Sequence, residues 1–272
     1  MNLTPDQLLE LYSRYYPRSV YQVADYRPHK PVSFIQAWFN GEYASAFRWV
    51  PENVRILDIG CGFCESLGYH QVRGCEVYGV EADENVKRIA ESRSFNVYCG
   101  LFNSRLYEKN FFDVVTMDQV IEHISDPLET VRGIAQVLKP GGLFILSSPN
   151  SNGWGAKIFG RYWINWHVPY HLHQFSIKSM KEVASRTGLK VQKVKTITNS
   201  EWLCYQWLHL VTYPLREHPS GFWSKKGKLS LLQKIGCKII MIIHKLKINH
   251  LITRLFDLLQ MGDNYLFILK KE

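Results

Sequence analysis

Short apolar runs alternate with amphipathic stretches from Val54 onward. Each run has the length of a buried strand, and the runs read VRILDIG, CEVYGVEAD, FNVYCG, FFDVVTMD, LFILSSPN, LKVQKVKTIT and DNYLFILKKE. The stretches PLETVRGIAQVL and SIKSMKEVASRTG have helical periodicity, and KPGG predicts a turn before the fifth strand. This alternation predicts a doubly wound α/β sheet with helices on both faces.

The pattern divides the chain into four predicted segments. They are an N-terminal helical and aromatic extension (1–50), an α/β core (51–199), a basic helical insertion (200–262) and the final strand of the core (263–272). Because no helix follows the final strand, we expect that strand to pair antiparallel with its predecessor in an otherwise parallel sheet.

The insertion carries an amphipathic basic helix. Apolar residues recur there at three- and four-residue spacing, at Leu232, Ile235, Ile239, Ile242 and Leu246, and another face carries Lys234, Lys238 and Lys245. Residues 200–260 hold nine basic and three acidic side chains. Three interpretations stay open: residues 228–259 lie on an anionic membrane, cap the active site to shape an acceptor pocket, or pack on the domain with solvated lysines.

Composition excludes few classes of protein. The 272 residues are 46% hydrophobic with a net charge of +9, and no apolar run reaches the ~18 residues of a membrane span. The first residues lack the basic and apolar regions of an export signal, and the six cysteines are then expected to be reduced thiols. We therefore expect a cytoplasmic protein. It lacks a recognisable nucleic-acid module, which makes nucleic acid an unexpected partner.

The stretch RILDIGCGFCES allows three interpretations. Gly60 and Gly62 could open a dinucleotide-binding turn, but Glu65 stands where the third glycine is needed. Cys61 and Cys64 have the spacing of a redox pair or half a zinc site, but no second pair occurs at zinc spacing. These thiols are therefore expected to be buried fillers. In the third interpretation the two glycines belong to a loop that binds a cofactor other than a dinucleotide.

Four motifs in order favour that third interpretation: ILDIGCG, YGVEAD, FDVVTMDQVIEH and VLKPGGLFILSSPN. Together they resemble class I S-adenosylmethionine (SAM)-dependent methyltransferases. Within that class the chain is similar to small bacterial enzymes with V-I-E-H-x-x-D-P and P-x-H-L-x-x-F motifs, here VIEHISDP (120–127) and PYHLHQF (169–175). The resemblance implies a Rossmann-like seven-stranded sheet with an antiparallel final strand, and SAM as cofactor.

The resemblance also implies a set of cofactor-binding residues. The glycine loop would meet the methionine end of SAM, Glu81 would take both ribose hydroxyls, and the residues after the second and third strands would enclose the adenine. The full set is Asp58, Gly60, Cys61, Gly62, Glu81, Ala82, Gly100, Leu101, Asp118 and Gln119.

Candidate catalytic bases are histidines, because imidazole accepts a proton near neutral pH. His167 and His171 belong to an aromatic segment, residues 160–175, which is expected to cover the crevice as a lid. His171 matches the family's P-x-H, and His123 is expected on the helix after the fourth strand. In the alternative interpretation these rings form only the core of a loop.

A metal ion is not expected, although some relatives bind a divalent ion through E-x-x-E-H. Here neutral Gln119 replaces the first carboxylate of that motif, and hard cations prefer anionic oxygens. If a metal does bind, Glu122, His123 and His171 are the ligands to test.

The sequence thus predicts a SAM-dependent methyltransferase that acts on a hydroxyl of a small molecule, a sugar or a lipid-linked glycan. One alternative is a quinone-pathway O-methyltransferase, which would need a metal and a greasy aromatic acceptor. An alternative of another class is a SAM-fold protein that binds without catalysis. Peripheral contact with an anionic membrane through 228–259 is compatible with a lipid-linked acceptor.

Overall fold

One seven-stranded sheet organises the chain in the computed structural model, which describes Gln7, Glu10 and residues 23–214 and 228–272. The strands are β1 (Arg55–Ile59), β2 (Glu76–Glu81), β3 (Asn96–Cys99), β4 (Phe112–Asp118), β5 (Leu138–Pro149), β6 (Leu189–Ile197) and β7 (Asn264–Lys271). Their order is β3-β2-β1-β4-β5-β7-β6. Pairs among β1–β5 are parallel, and β7 is antiparallel to both neighbours. The predicted Rossmann-like sheet is confirmed.

Helices connect and cover these strands. They are α1 (Phe34–Asn40), α2 (Glu65–Gln71), α3 (Val86–Arg93), α4 (Pro127–Val137), α5 (Trp154–Phe159), α6 (Ile177–Ser185), α7 (Ser200–Val211), α8 (Leu231–Lys245) and α9 (Ile248–Leu258). Local chemistry fixes several ends. The Asp126 side chain accepts the Glu129 N–H at 3.0 Å, and Pro127 follows it as the first helical residue. Ser176 caps α6 in a capping box.

Successive residues of the central strands enter two different cores, as the two-residue period of a strand requires. Leu57 and Val115 pack in one core with residues of α4 and α6. Ile56 and Val114 pack in another, with Ala46 from the segment before β1. Both faces of the sheet are therefore covered, which explains why these strands read as continuous apolar runs.

Two local predictions need correction. The KPGG stretch lies inside β5, where it forms a bulge. Leu138 pairs with Phe112 and Leu143 pairs with Val114, so β5 has more residues than β4 between these two pairs. His123 lies on a 3-10 turn, Ile121–His123, and not on the helix after β4. That helix begins only at Pro127, because a proline disfavours helical geometry in the residue before it.

The insertion between β6 and β7 is helical in its described parts, α7, α8 and α9. Arg254 of α9 attaches it to the core: its guanidinium donates to the carbonyl oxygens of Trp38 and Thr198 and pairs with Asp257 at 2.7 Å. Only part of the predicted 1–50 extension falls within the described residues, so the four segment boundaries stay predictions. In the described parts of the chain, no helix combines the length and hydropathy that crossing a bilayer requires.

Candidate active site

A cavity of about 200 Å³ lies at the carboxyl ends of β1, β2 and β4. β1 has β2 on one side and β4 on the other, so the cavity lies at the switch point where open α/β sheets bind ligands. Eight of the ten predicted cofactor residues line it: Gly60, Gly62, Glu81, Ala82, Gly100, Leu101, Asp118 and Gln119. The sheet therefore brings together motifs that lie far apart in the sequence.

The loop after β1 needs glycine at two positions, for different reasons. Gly60 has φ +78°, and a Cβ there would lie 2.4 Å from Val120 Cγ2. Gly62 has φ +53°, and a Cβ there would meet no atom within 4 Å. Gly60 thus permits close packing of the loop on the β4 side, whereas Gly62 keeps the mouth of the cavity open.

Glu81 joins two loops of the cavity wall. Its Oε2 accepts the Gly62 N–H at 2.9 Å, and its Oε1 accepts the Asp83 N–H at 2.9 Å. The side chain is only 5% exposed. A carboxylate oxygen has a second acceptor site, so both oxygens remain able to accept ribose hydroxyls.

Asp58 and Cys61 do not line the cavity. Asp58 lies behind the loop, where it accepts hydrogen bonds from Thr116 Oγ1 at 2.7 Å and from the Ser66 hydroxyl. Burial raises the pKa of Asp58 to about 6. The Cys61 thiol is free and buried, and its hydrogen bond with Cys64, together with burial, raises its pKa. A thiol with a raised pKa is unreactive, which fits the filler interpretation.

Apolar residues complete the wall, and sequence reasoning missed them. Phe102, Val120 and Ile124 line the cavity beside the predicted positions. Phe102 follows Gly100 and Leu101 directly. Its position just after β3 is the feature of the sequence from which its place in the cavity wall could have been predicted. Val120 and Ile124 flank the short turn Ile121–His123, which was wrongly predicted to belong to the helix after β4.

The segment with the predicted lid histidines docks on that turn. The Glu122 carbonyl accepts the Leu172 N–H at 2.8 Å, and His123 Nδ1 lies 3.0 Å from the Tyr170 carbonyl. The His123 and His171 rings meet edge to face with centroids 4.6 Å apart, and His167 lies 5.1 Å from His171. His123 lines the cofactor cavity itself. The structure thus brings the three predicted histidines together.

Burial keeps the lid histidines uncharged. It lowers the pKa of His171 to about 3 and that of His167 to about 4. His171 Nδ1 lies 2.7 Å from the Asn165 carbonyl. Because a carbonyl only accepts, Nδ1 carries the proton and Nε2 keeps its lone pair. The same reasoning assigns the lone pair of a neutral His123 ring to Nε2.

Glu122 is fully buried beside these rings. No hydrogen bond of normal geometry reaches either carboxyl oxygen from the described residues, although the Ser148 hydroxyl and the Glu122 backbone lie close enough to favour the charged form. Burial outweighs these two contacts and raises the pKa of Glu122 to about 8. One ligand atom from each of Glu122, His123 and His171 lies within 4.8 Å of the others. A buried carboxyl with such weak hydrogen bonding needs an explanation, and two imidazoles with one carboxylate form a donor set that suits a divalent transition metal. These residues therefore fit a metal ion.

The sheet order, the glycine loop and the acidic residue at the end of β2 define a class I SAM-dependent methyltransferase. Residues 25–194 match the family model described as a methyltransferase domain. The chain belongs to this methyltransferase family.

Individual relatives and solved structures agree with this assignment. A ubiquinone biosynthesis O-methyltransferase of Maricaulis maris is 34% identical over 151 residues, which cover 51% of this chain and 58% of that protein. A protein of the same name from Xanthomonas axonopodis is 26% identical over 191 residues, which cover 64% and 78%. Phosphoethanolamine N-methyltransferase 2 of Haemonchus contortus, solved with phosphomonomethylethanolamine and S-adenosylhomocysteine, has a TM-score of 0.58 at 17% identity and covers 99% of this chain and 60% of that one. The chain thus spans little more than half the length of the Maricaulis protein.

The role of Glu81 in cofactor binding remains a prediction with a direct test. We expect Glu81→Gln to weaken S-adenosylhomocysteine binding about 10- to 100-fold, because the amide lacks the charge and one acceptor oxygen. Isothermal titration calorimetry measures this change. Glu84→Gln is the matched control, since Glu84 is exposed and pairs only with Lys87 on the surface. Equal affinities for the two variants would exclude the ribose role.

Proposed function

We propose that this protein transfers the methyl group of SAM to a hydroxyl oxygen of a small-molecule, sugar or lipid-linked glycan acceptor. In this reaction the methyl C–S bond breaks as the C–O bond forms, the hydroxyl proton passes to a base, and S-adenosylhomocysteine leaves. One observation carries the proposal: His123 on the wall of the cofactor cavity contacts His171 of the lid segment. The Nε2 lone pair of His123 is suited to receive that proton.

The two histidines have different parts in this proposal. His123 is the base, because it lines the cavity and its backbone contact directs Nε2 away from Tyr170. His171 is a positioning residue, since its ring packs against His123 and the Asn165 carbonyl fixes its orientation. Alignment of hydroxyl and methyl can supply up to ~7–11 kcal/mol, and a base adds ~100- to 10,000-fold in rate.

Transfer from tritiated SAM tests this proposal, with catechols, hexoses and polyprenyl-linked glycans as acceptors. We expect at least one hydroxyl acceptor to be labelled, and His123→Ala to lower kcat by about 100- to 10,000-fold. S-adenosylhomocysteine affinity should stay unchanged, and added imidazole should restore part of the rate. Tight cofactor binding without transfer to any acceptor would favour the non-catalytic alternative.

A second candidate is a quinone-pathway O-methyltransferase acting on a greasy aromatic hydroxyl. The relatives from Maricaulis and Xanthomonas carry that activity in their names. The specific observation in its favour is the buried cluster of Glu122, His123 and His171. A metal ion held there would polarise an acceptor hydroxyl and make it easier to deprotonate. Gln119 still departs from the E-x-x-E-H pattern.

Metal binding by this cluster can be measured without activity. We expect protein freed of metal with a chelator to bind one Mn²⁺ or Zn²⁺ by calorimetry, and Glu122→Gln to weaken binding about 100-fold, because the anionic ligand is lost. Glu129→Gln is the control, since Glu129 lies exposed on α4 and pairs with Arg132 on the surface. Undiminished binding in Glu122→Gln would remove the support for this candidate.

We also infer that the α8–α9 hairpin contacts an anionic bilayer. All five residues of the apolar stripe on α8 and its C-cap are exposed. The exposed fractions are 80%, 46%, 52%, 56% and 66% for Leu232, Ile235, Ile239, Ile242 and the C-cap Leu246. From α9, Leu251, Leu255 and Leu258 are also exposed. So many large apolar side chains exposed on two neighbouring helices mark an interaction site.

Charge selects the partner for this hairpin surface. Lys234, Lys238 and Lys245 are exposed on α8, and α8 contains no acid. The one carboxylate of α9, Asp257, pairs with Arg254 and is 12% exposed. A second copy of the chain would bring lysines against lysines, whereas an anionic lipid surface attracts each with about 1 kcal/mol.

Vesicle co-sedimentation tests this contact. We expect binding to phosphatidylglycerol vesicles and little binding to phosphatidylcholine alone, and a loss of at least about tenfold for the Leu232→Ser, Ile239→Ser double variant. Val72→Ser is the control, because Val72 is 71% exposed at the end of α2. A stable dimer in light scattering that the double variant abolishes would instead identify a second copy as the partner.

A further inference from the structure

A second cavity, of about 510 Å³, lies outside the cofactor site. Its walls come from residues before β1, from the start of α7 and from the turn between α8 and α9. The basic side chains and imidazoles on its wall are His29, Lys30, Arg48, His244, Lys247 and His250. The family motifs include none of these residues.

One residue layer separates this second cavity from the cofactor cavity. Asp118 lines the cofactor cavity, and its carboxyl accepts hydrogen bonds from the Ser147 hydroxyl, the Ala46 backbone and the Ser45 hydroxyl. Ser45 lines the second cavity. A molecule held there therefore lies next to the carboxyl end of β4, close to the place where methyl transfer would occur.

Positive charge in the second cavity is only partly compensated, because Lys30, Arg48 and Lys247 share its wall with two carboxylates. Glu42 is already paired with Arg48 and accepts from the Asn40 amide at 2.9 Å. Glu201 accepts the Tyr205 hydroxyl at 2.5 Å. Within the described chain, neither Lys30 nor Lys247 pairs with a carboxylate. The two ammonium groups are thus available to a bound anion.

His250 supplies an independent observation. It is 3% exposed, its Nε2 lies 3.3 Å from Lys247 Nζ, and its Nδ1 has no hydrogen-bond partner among the residues that the structure describes. Burial lowers its pKa to about 4, and the nearby Lys247, His244 and Arg254 contribute. The start of α9 thus places a lysine ammonium beside a buried imidazole with an unsatisfied ring nitrogen.

Helix α9 adds to this positive end. Lys247 is its N-cap, with φ +65° and no side-chain cap hydrogen bond. The first N–H groups of a helix carry the positive end of its dipole and favour anions. Because Lys247 and His250 both line the cavity, the start of α9 makes the electrostatic potential there more positive.

We propose that the second cavity is the acceptor pocket and that it binds a phosphate or another anionic group of the acceptor. This inference rests on the proposed function and deepens it, since it names the class of acceptor. The anion lies between Lys30 and Lys247, which come from different elements, while the acceptor hydroxyl reaches the cofactor past Asp118. The turn between α8 and α9 also borders the exposed apolar surface of the α8–α9 hairpin. The anionic group can therefore be the headgroup of a lipid-linked acceptor or the phosphate of a soluble ester, because both carry a phosphate.

Calorimetric titration with inorganic pyrophosphate tests the pocket, with and without saturating S-adenosylhomocysteine. We expect one site that remains when S-adenosylhomocysteine is bound. Lys247→Gln and Lys30→Gln should each weaken pyrophosphate binding about tenfold and leave S-adenosylhomocysteine affinity unchanged. Lys245→Gln is the matched control, because Lys245 is exposed and does not line the cavity.

Several outcomes overturn the inference. They are the absence of pyrophosphate binding, equal binding by all variants, and competition with S-adenosylhomocysteine, which would assign the pocket to the carboxylate of the cofactor. Failure of S-adenosylhomocysteine itself to bind would overturn the proposed function, and pyrophosphate titrated alone still decides whether the anion site exists. A second measurement separates the two sources of the anion: binding of the Lys247→Gln variant to vesicles with and without polyprenyl phosphate. If the variant loses binding only to vesicles with polyprenyl phosphate, the anion is a lipid headgroup. If it loses binding only to pyrophosphate, the anion belongs to a soluble ester.

Discussion

The candidate site depends on the carboxylate of Glu81. At the end of β2 its two oxygens hold the backbone N–H groups of Gly62 and Asp83, so a single side chain fixes two loops that belong to different strands. The Gly62 loop can adopt that position because its positive φ costs glycine little. Asp58 supports the same loop from behind through Thr116 and Ser66. The cavity is therefore preorganised before any ligand enters.

Much of the fold could be predicted from the sequence, because its strands are buried on both faces and read as uninterrupted apolar runs. The cofactor residues could be predicted for a related reason: parallel strands bring their carboxyl ends to one edge, so motifs that follow strands converge there. Predictions failed where a few residues decide the backbone, as at His123, where the proline at position 127 delays the helix.

The second cavity could not be predicted from local patterns. Its walls come from residues 29–48, 199–201 and 244–250, which only the packing of the insertion on the N-terminal segment brings together. Periodicity on α8 identified an apolar stripe correctly but could not show which surface would cover it. The stripe faces solvent because other residues of α8 contact α7, where the Gln233 amide donates to the Val211 carbonyl at 3.2 Å, while Arg254 of α9 anchors the insertion to the core.

The position of β7 has a consequence for the order of synthesis. β7 lies between β5 and β6 and pairs with both. The edges of β5 and β6 that face β7 therefore lack their hydrogen-bond partners until residues 264–271 have left the ribosome. Until then the emerging polypeptide exposes two unpaired strand edges, which are the surfaces that promote aggregation. The helical insertion, synthesised between β6 and β7, lengthens that interval. The sheet can therefore close between β5 and β6 only after the whole helical insertion has been synthesised.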